Sequence, residues 1–273
     1  MPLLFIIIVL LCIYATQTGA FVEGLFYLFT PDFSKINATV ILAALGQAFF
    51  TLSLGMGAIM AYGAYMPSNQ NIGSTALSVA FLDTLVAILA GIAIFPIVFA
   101  NNLEPAAGPG LVFVTLPWAF ANMPLGLIFG KLFFVLLSIA ALSSAISLLE
   151  PGVAWIVESF KTKRYIAAGG LGLIAWTLGI LSALSFNLIA DFTPIGDRNF
   201  FDSMDFLSNQ VLLPLGGILI AIFVAWVMKR EHVLDELEIK EGWLLNTWFI
   251  LLKFLSPLMV GIVFVAAVFL GVT

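Results

Sequence analysis

The sequence predicts an all-α integral membrane protein in which one spanning helix is interrupted. Hydrophobic residues make up 62% of the 273 residues and charged residues only 9%, whereas soluble domains carry about 25% charged residues. The apolar residues come in blocks of about twenty, the length that crosses a bilayer as a helix. One such block contains Thr51, Ser53, Gly55 and Gly57. Because hydrocarbon offers the main chain no partner, non-helical backbone at this depth indicates a cavity or a binding site for a solute or an ion.

The composition argues against other classes of protein. Cys12 is the single cysteine and lies in a predicted span, so we expect no disulfide within the chain. His232 is the single histidine, and its charged loop favours a solvated surface residue over a metal ligand. The sequence has no metal-ligand cluster, phosphate-binding loop or nucleophile–base pair, and its net charge of −5 is spread over loops. We therefore expect neither an enzyme nor a nucleic-acid-binding protein.

Seven spans are predicted in chain order. The first begins at Met1-Pro2 without the basic residues that open a signal peptide, so it is predicted to be a true span. The connection 101–126 is rich in Pro, Gly and Asn and is predicted to form an external hairpin that dips toward the membrane. The spans lie at about 2–19, 39–66, 74–100, 127–158, 165–186, 205–229 and 246–271.

Basic residues predict the orientation of these spans. Cytoplasmic loops of membrane proteins carry an excess of Lys and Arg. Such residues cluster at 161–164, between spans four and five, and at 229–240, between spans six and seven. We therefore expect both loops and the start of the chain on the cytoplasmic side of the cell (inner) membrane, with the end of the chain outside.

Asp83 is an ionisable residue midway along the third span. A charged side chain there costs about 3 kcal/mol on insertion scales and usually has a function. A carboxylate isolated in hydrocarbon takes up a proton unless a cation lies beside it. Asp83 is therefore either protonated and bonded to a nearby carbonyl or charged and bound to a cation, and its cost favours the second interpretation.

Span four carries Ala140, Ser143 and Ser144 at positions i, i+3 and i+4, which share one helix face. Two hydroxyl oxygens and a carbonyl offer the oxygen ligands that a hard cation prefers. Small and hydroxyl residues are also common wherever membrane helices pack closely. From these residues alone, close packing is the favoured interpretation.

Other polar residues in the spans also have ordinary structural explanations. Asp205 stands at the predicted start of span six, where the helix dipole favours a carboxylate cap. Glu158 stands at the cytoplasmic end of span four, where the same dipole disfavours it, so we expect a basic partner. Lys131 and Lys253 can extend to an interface, and Tyr65 fits an interfacial aromatic belt.

The interrupted block also has two interpretations. Glycines are common where membrane helices cross tightly. The combination of hydroxyl residues, glycines, Phe50 and Met56 fits a small amphipathic solute better, because freed main-chain groups can meet its charges while the apolar side chains cover the rest.

Taken together, these residues resemble the neurotransmitter:sodium symporter family, in its bacterial amino-acid transporter branch. The strongest match is 46–57, GQAFFTLSLGMG, which is similar to the family's unwound sixth helix. Weaker matches are 30–33, 115–117, 143–151 and 204–206. The resemblance covers most of the chain and implies the family's helices five to eleven, that is, a partial leucine-transporter-type inverted-repeat fold with one unwound helix.

The resemblance also implies the ligands of each site. An amino-acid substrate is expected to contact Phe50, Thr51, Ser53, Met56, Ser144 and Leu148. Na⁺ is expected at two sites, one with Thr51 and Asp83, the other with Ala140, Ser143 and Ser144. Gln47 and Asp205 resemble parts of the external gate, and Glu158 and Tyr65 parts of the internal gate. Since Asp83 supplies a carboxylate where many relatives have Asn, we expect transport that does not require chloride.

The family's first four helices have no counterpart in this sequence. Those helices normally supply half of both sodium sites and the basic gate partners. The predicted function is therefore sodium-coupled symport of a hydrophobic amino acid by a complete transporter that includes the missing amino-terminal helices. The alternative is a non-transporting membrane fragment, or one part of a split transporter.

Overall fold

The computed structural model describes residues 2–67, 69–105, 108–237 and 242–269. Within these ranges the regular elements are helices. The chain forms two compact units, one made of Met1–Ser34 and Ser78–Ala145, the other of Lys35–Leu77 and Ile146–Thr273. We call them the first and the second unit.

The first unit contains helices α1 (Pro2–Thr16) and α2 (Phe21–Phe29), most of α5 (Ile72–Ala100), α6 (Gly108–Ala121) and the first part of α7 (Gly126–Phe160). Residues 111–115 of α6 have π-helical hydrogen bonding. The core forms where these helices meet, because apolar side chains that leave lipid or water pack closely against one another. It includes Ile7, Leu11, Tyr14, Ala93, Ile97, Leu116, Phe120 and Phe133.

A sharp bend of 115° separates α1 from α2. The sequence predicted a single span over 2–19 followed by a loop, but α1 ends at Thr16 and a second apolar helix follows. α2 lies close against α5, since a Cβ on Gly24 would be 2.6 Å from Cγ of Pro96. Only glycine leaves room for this approach.

The second unit contains α3 (Ala38–Thr51), α4 (Ala58–Ala64), the second part of α7, α8 (Arg164–Leu184), α9 (Phe200–Val227), α10 (Arg230–Leu237) and α11 (residues 243–269). α11 packs along α9 and α3. Residues 206–212 and 223–227 of α9 and 251–255 of α11 are π-helical, a geometry often found at functional sites.

Five helices of the described chain are long and apolar enough to cross a membrane, or six if the bent pair α1 and α2 counts as one span. The five are Ile72–Ala100, Gly126–Phe160, Arg164–Leu184, Phe200–Val227 and Leu245–Val268. The predicted second span, 39–66, is divided into α3 and α4, each too short to cross alone. The predicted external hairpin, 101–126, contains the short helix α6.

Candidate functional site

The interruption between α3 and α4 is visible in the main-chain hydrogen bonds. The last bond of the helical type is Leu52 N–H to Ala48 O, at 3.2 Å. Ser53 then donates to Phe50 O, three residues back, and Leu54 to Phe49 O, five residues back. Regular bonding resumes with Ala61 N–H and Gly57 O, at 3.0 Å. The predicted unwound helix is therefore confirmed.

Left-handed backbone conformations produce this interruption. The φ angle is +53° at Ser53, +85° at Gly55 and +79° at Gly57. An L-residue in this region costs about 1–2 kcal/mol, whereas glycine adopts it freely. The two glycines therefore allow the chain to leave the α3 axis and to start α4, and Ser53 carries the remaining strain.

The interrupted segment lies directly on the main chain of α9. A Cβ on Gly55 would be 2.7 Å from Gly217 N and would also overlap the carbonyl oxygen of Leu213. A Cβ on Gly216 would overlap the carbonyl oxygen of Gly55 in turn. This mutual approach of two glycine-containing segments holds the turn at 52–57 in place, because no side chain separates them.

One cavity of the second unit, of about 300 Å³, lies behind this turn. The predicted substrate contact Ser53 lines it together with Gly55 and Gly57. Its other walls are apolar residues of α9 and α11, among them Ile220 and Trp248. Ser53 therefore faces a space on the α9 and α11 side of the interruption.

A second cavity of about 360 Å³ brings the predicted external-gate residues together. Gln47, Phe50 and Asp205 line it with Asn209 and Gln210. The carboxylate of Asp205 accepts a hydrogen bond of 2.6 Å from the Asn209 side chain. The Gln210 side-chain oxygen is buried and has no hydrogen-bond partner within the described residues. This wall of the cavity therefore contains a hydrogen-bond acceptor without a donor among those residues.

The structure corrects the interpretation of Asp205 as a helix cap. α9 begins at Phe200, and the Asn199 side chain caps it by accepting a bond of 2.9 Å from Asp202 N–H. Asp205 is the sixth residue of this helix, so it has no capping role. Its position in the cavity wall leaves the gate interpretation open.

The end of α4 is tied to α7 by two hydroxyl contacts of the second unit. Tyr65 Oη donates to Glu150 Oε1 at 3.1 Å, and Tyr62 Oη hydrogen-bonds with Ser147 Oγ. Arg164, the first residue of α8, pairs with the other carboxylate oxygen of Glu150 at 2.5 Å. Tyr65 therefore has a specific partner beyond an aromatic belt, and Glu150 joins three helices.

Glu158 lies exposed at the end of α7. Within the described parts of the chain it forms no ion pair, and the nearby arginine pairs with Glu150 instead. The expectation of a basic partner for Glu158 is therefore not met by these residues. Its proposed place in the internal gate stays a prediction.

Replacing Arg164 by Gln is expected to lower the midpoint of thermal unfolding. The Glu150 side chain is only 14% exposed. A largely buried carboxylate that has lost its cation destabilises the fold more than the replacement of both charged partners by neutral residues. The double variant E150Q/R164Q should therefore be more stable than R164Q alone. Lys163→Gln, one residue earlier, is the control and should change the midpoint little.

Equal destabilisation by K163Q and R164Q, or a double variant less stable than R164Q, would contradict this role for the ion pair. All four proteins can be compared in one detergent by tryptophan fluorescence during heating.

The predicted sodium ligands lie on three helices: Thr51 is the last residue of α3, Asp83 lies on α5, and Ala140, Ser143 and Ser144 lie on α7. Asp83 is half-buried in the part of α5 that belongs to the first unit. On α7, the Ser143 hydroxyl donates to the carbonyl of Ala140 at 3.0 Å, and Ser144 is exposed. The Ala140 carbonyl therefore accepts this side-chain bond in addition to its place in the helical main-chain bonding of α7. No group of three His, Cys, Asp or Glu side chains suited to a metal occurs within the described ranges.

The predicted substrate contacts Phe50 and Leu148 are 45% and 49% exposed. Thr51 is exposed as well, and Met56 is half-buried. All four side chains therefore keep accessible surface among the described residues.

Several residues of this region were not anticipated. Gly216 and Gly217 were missed, although a pair of glycines in an apolar span signals close main-chain approach. Arg164 was assigned only to the orientation of its loop, although Glu150 in a span calls for a cationic partner. The contacts of Asn209 and Gln210 had no signal in the sequence.

Comparisons with known proteins agree with this geometry. The model of the sodium:neurotransmitter symporter family matches residues 1–271. The uncharacterized sodium-dependent transporter YhdH of Bacillus subtilis is 38% identical over 267 residues, 97% of this chain and 59% of that protein. Sodium-dependent nutrient amino acid transporter 1 of Drosophila virilis is 26% identical over 263 residues, 92% of this chain and 40% of that protein.

Among solved structures, the crystal structure of MhsT in complex with L-phenylalanine has a TM-score of 0.87 and 47% sequence identity. The match covers 98% of this chain and 61% of MhsT.

The fold and its interrupted helix define a helical membrane protein with the leucine-transporter type of fold. The chain belongs to the sodium:neurotransmitter symporter family, as the resemblance predicted. This is a family of transporters rather than of enzymes. The chain spans about three-fifths of the length of the bacterial relative and of MhsT.

Proposed function

We propose that this chain forms the larger part of a sodium-coupled symporter that imports a hydrophobic amino acid across the cytoplasmic membrane. The observation that carries the proposal is the interruption at 52–57, in a segment whose neighbours are apolar helices. Main-chain polar groups at this depth need partners. An amino-acid substrate supplies a carboxylate and an ammonium group that can meet them.

The side chains around the interruption indicate the substrate class. Phe50, Met56 and Leu148 offer a large apolar surface, and Thr51 and Ser53 offer hydroxyl groups. Such a lining suits a bulky apolar side chain whose charged end is bound by polar groups. The complex of MhsT, a relative at 47% identity, with L-phenylalanine supports the same choice.

Sodium has two proposed sets of ligands. Asp83 contributes a carboxylate, with Thr51 as a further ligand, and Ala140, Ser143 and Ser144 contribute neutral oxygens from one helix face. Monovalent cations suit such ligands, because binding must be reversible on every transport cycle. The inward sodium gradient then drives uptake, and alternating access moves the bound solutes across.

Two gates complete the proposed cycle. Gln47 and Asp205 line one cavity and serve the external gate. Tyr65 and Glu158 serve the internal gate, where Tyr65 also binds Glu150. Loops 161–164 and 229–240 face the cytoplasm by their basic residues, which places the chain start inside and the chain end outside.

Amino-acid binding by the complete transporter tests this proposal. The chain is co-expressed with a segment that supplies the remaining two-fifths of its relatives' length, and the chain alone serves as the control. Radiolabelled phenylalanine and leucine are expected to bind in sodium but not in choline, and glutamate in neither. Equal binding in choline would remove the sodium coupling, and a preference for glutamate would remove the hydrophobic substrate. Sodium-dependent binding by the chain alone would show that the additional segment is not needed.

A further inference from the structure

Two cations of the second unit rest on aromatic rings where α9 ends and α11 begins. Lys253 Nζ lies 4.1 Å from the centroid of the Trp226 ring. The guanidinium of Arg230 lies 5.2 Å from the centroid of Phe249 and donates a hydrogen bond of 2.6 Å to Asn246 Oδ1. We propose that these five residues, the cationic patch, bind the phosphate of an anionic phospholipid in the membrane leaflet at this end of the helices.

The helix geometry places the patch on one surface. On α11, Asn246 and Phe249 lie one turn apart on one helix face, and Lys253 follows four residues later in the π-helical stretch. Trp226 and Arg230 reach this face from the end of α9 and the start of α10. Arg230 comes four residues after Trp226 and contacts Phe249, four residues before Lys253, so the two cations lie on neighbouring parts of one surface.

The charge of the patch is uncompensated by the described residues. Neither Lys253 nor Arg230 forms an ion pair with any of them, although α10 carries Glu231, Asp235 and Glu236. Two like charges on one surface repel each other, and ring faces attract cations without neutralising them. An anion between the two side chains would remove the repulsion. This is notable in a chain with a net charge of −5.

The surroundings favour a lipid over a free anion. Trp226, Trp243 and Trp248 are partly exposed at this end of the helices, as expected of aromatic side chains at the level of the lipid headgroups. Farther along α11, Phe254 and Leu258 are exposed and apolar. A phospholipid can place its phosphate on the patch and its acyl chains along these residues, whereas inorganic phosphate gains nothing from them.

Lipid retention tests this assignment on the 273-residue chain itself, without any assumption about transport. The purified protein is titrated with phosphatidylglycerol or phosphatidylcholine, and bound lipid is counted by native mass spectrometry. Phosphatidylglycerol is expected to bind more tightly, by about fivefold for each of the two cations. Lys253→Gln and Arg230→Gln should each lower the preference for phosphatidylglycerol by about fivefold, and Lys253→Arg should keep the full preference. Lys131→Gln, at another lysine within a span, is the matched control.

The assignment is overturned if the unaltered protein binds both lipids equally, or if K131Q loses as much preference as K253Q. It is also overturned if millimolar inorganic phosphate displaces the lipid, because the patch would then be a site for free anions. If K253Q fails to fold, the comparison of R230Q with K253R gives the same decision.

Discussion

Replacing Gly55 by Ala is expected to destabilise the folded protein by about 2–5 kcal/mol and to abolish amino-acid binding by the complete transporter. A left-handed conformation costs a non-glycine residue about 1–2 kcal/mol, and the φ angle here is +85°. Forcing an extra methyl group into a packed contact adds about 1–3 kcal/mol, and the atoms it meets belong to the main chain of α9, which cannot rotate away. The measurement is the unfolding midpoint in detergent, followed by binding of labelled phenylalanine.

Gly63→Ala provides the matched control for this prediction. Gly63 lies in α4, and a Cβ there would meet nothing within 4 Å. Alanine is the better helix former by about 1 kcal/mol, so G63A should be as stable as the original protein or slightly more stable. If G55A and G63A behave alike, the close approach of the interrupted segment to α9 does not carry the stability that we assign to it.

Replacing Asp83 by Ala is expected to raise the sodium concentration for half-maximal uptake by more than about tenfold. A carboxylate that binds a cation within a span contributes at least ~1.4 kcal/mol to the free energy of sodium binding, which corresponds to a tenfold change in affinity. Asp83→Asn retains an oxygen ligand and removes the charge, so uptake by D83N should become dependent on chloride as a replacement anion. The measurement is uptake by the complete transporter against sodium concentration, with chloride or gluconate as the anion.

Thr84→Ala is the control for Asp83. The Thr84 hydroxyl bonds to Ala80 O of its own helix at 2.9 Å, so its loss should leave the sodium dependence unchanged. An unaltered sodium dependence in D83A would mean that Asp83 is a protonated structural residue, the other interpretation of its sequence position.

The interruption could be predicted from sequence because its signal is local. Hydroxyl residues and two glycines within an apolar block have few roles in a membrane other than breaking a helix or packing tightly. The structure shows both, since Gly55 has a positive φ and also touches α9. The partner surface at Gly216 and Gly217 could not be identified, because it lies about 160 residues away and no pattern links the two segments.

The bend after α1 and the ion pair of Glu150 could not be predicted from the sequence. α2 is a nine-residue apolar helix, too short to be recognised as a span, so hydropathy predicts a loop in its place. Arg164 pairs with Glu150 across the end of α7, and a rule that uses basic residues for orientation says nothing about their partners. Short helices and contacts between helices depend on three-dimensional packing, which hydropathy does not encode.

The most direct test of the central claim, that the interrupted segment contacts the transported solute, is protection of a cysteine within it. Cys12 is the single cysteine of this chain, so Met56→Cys in a Cys12→Ser background, co-expressed with a cysteine-free additional segment, gives one reactive thiol in the complete transporter. The rate of thiol labelling should fall when sodium and phenylalanine are added together, while a Gly63→Cys control should be labelled at a constant rate. Labelling of M56C at the same rate with and without both solutes would contradict the account.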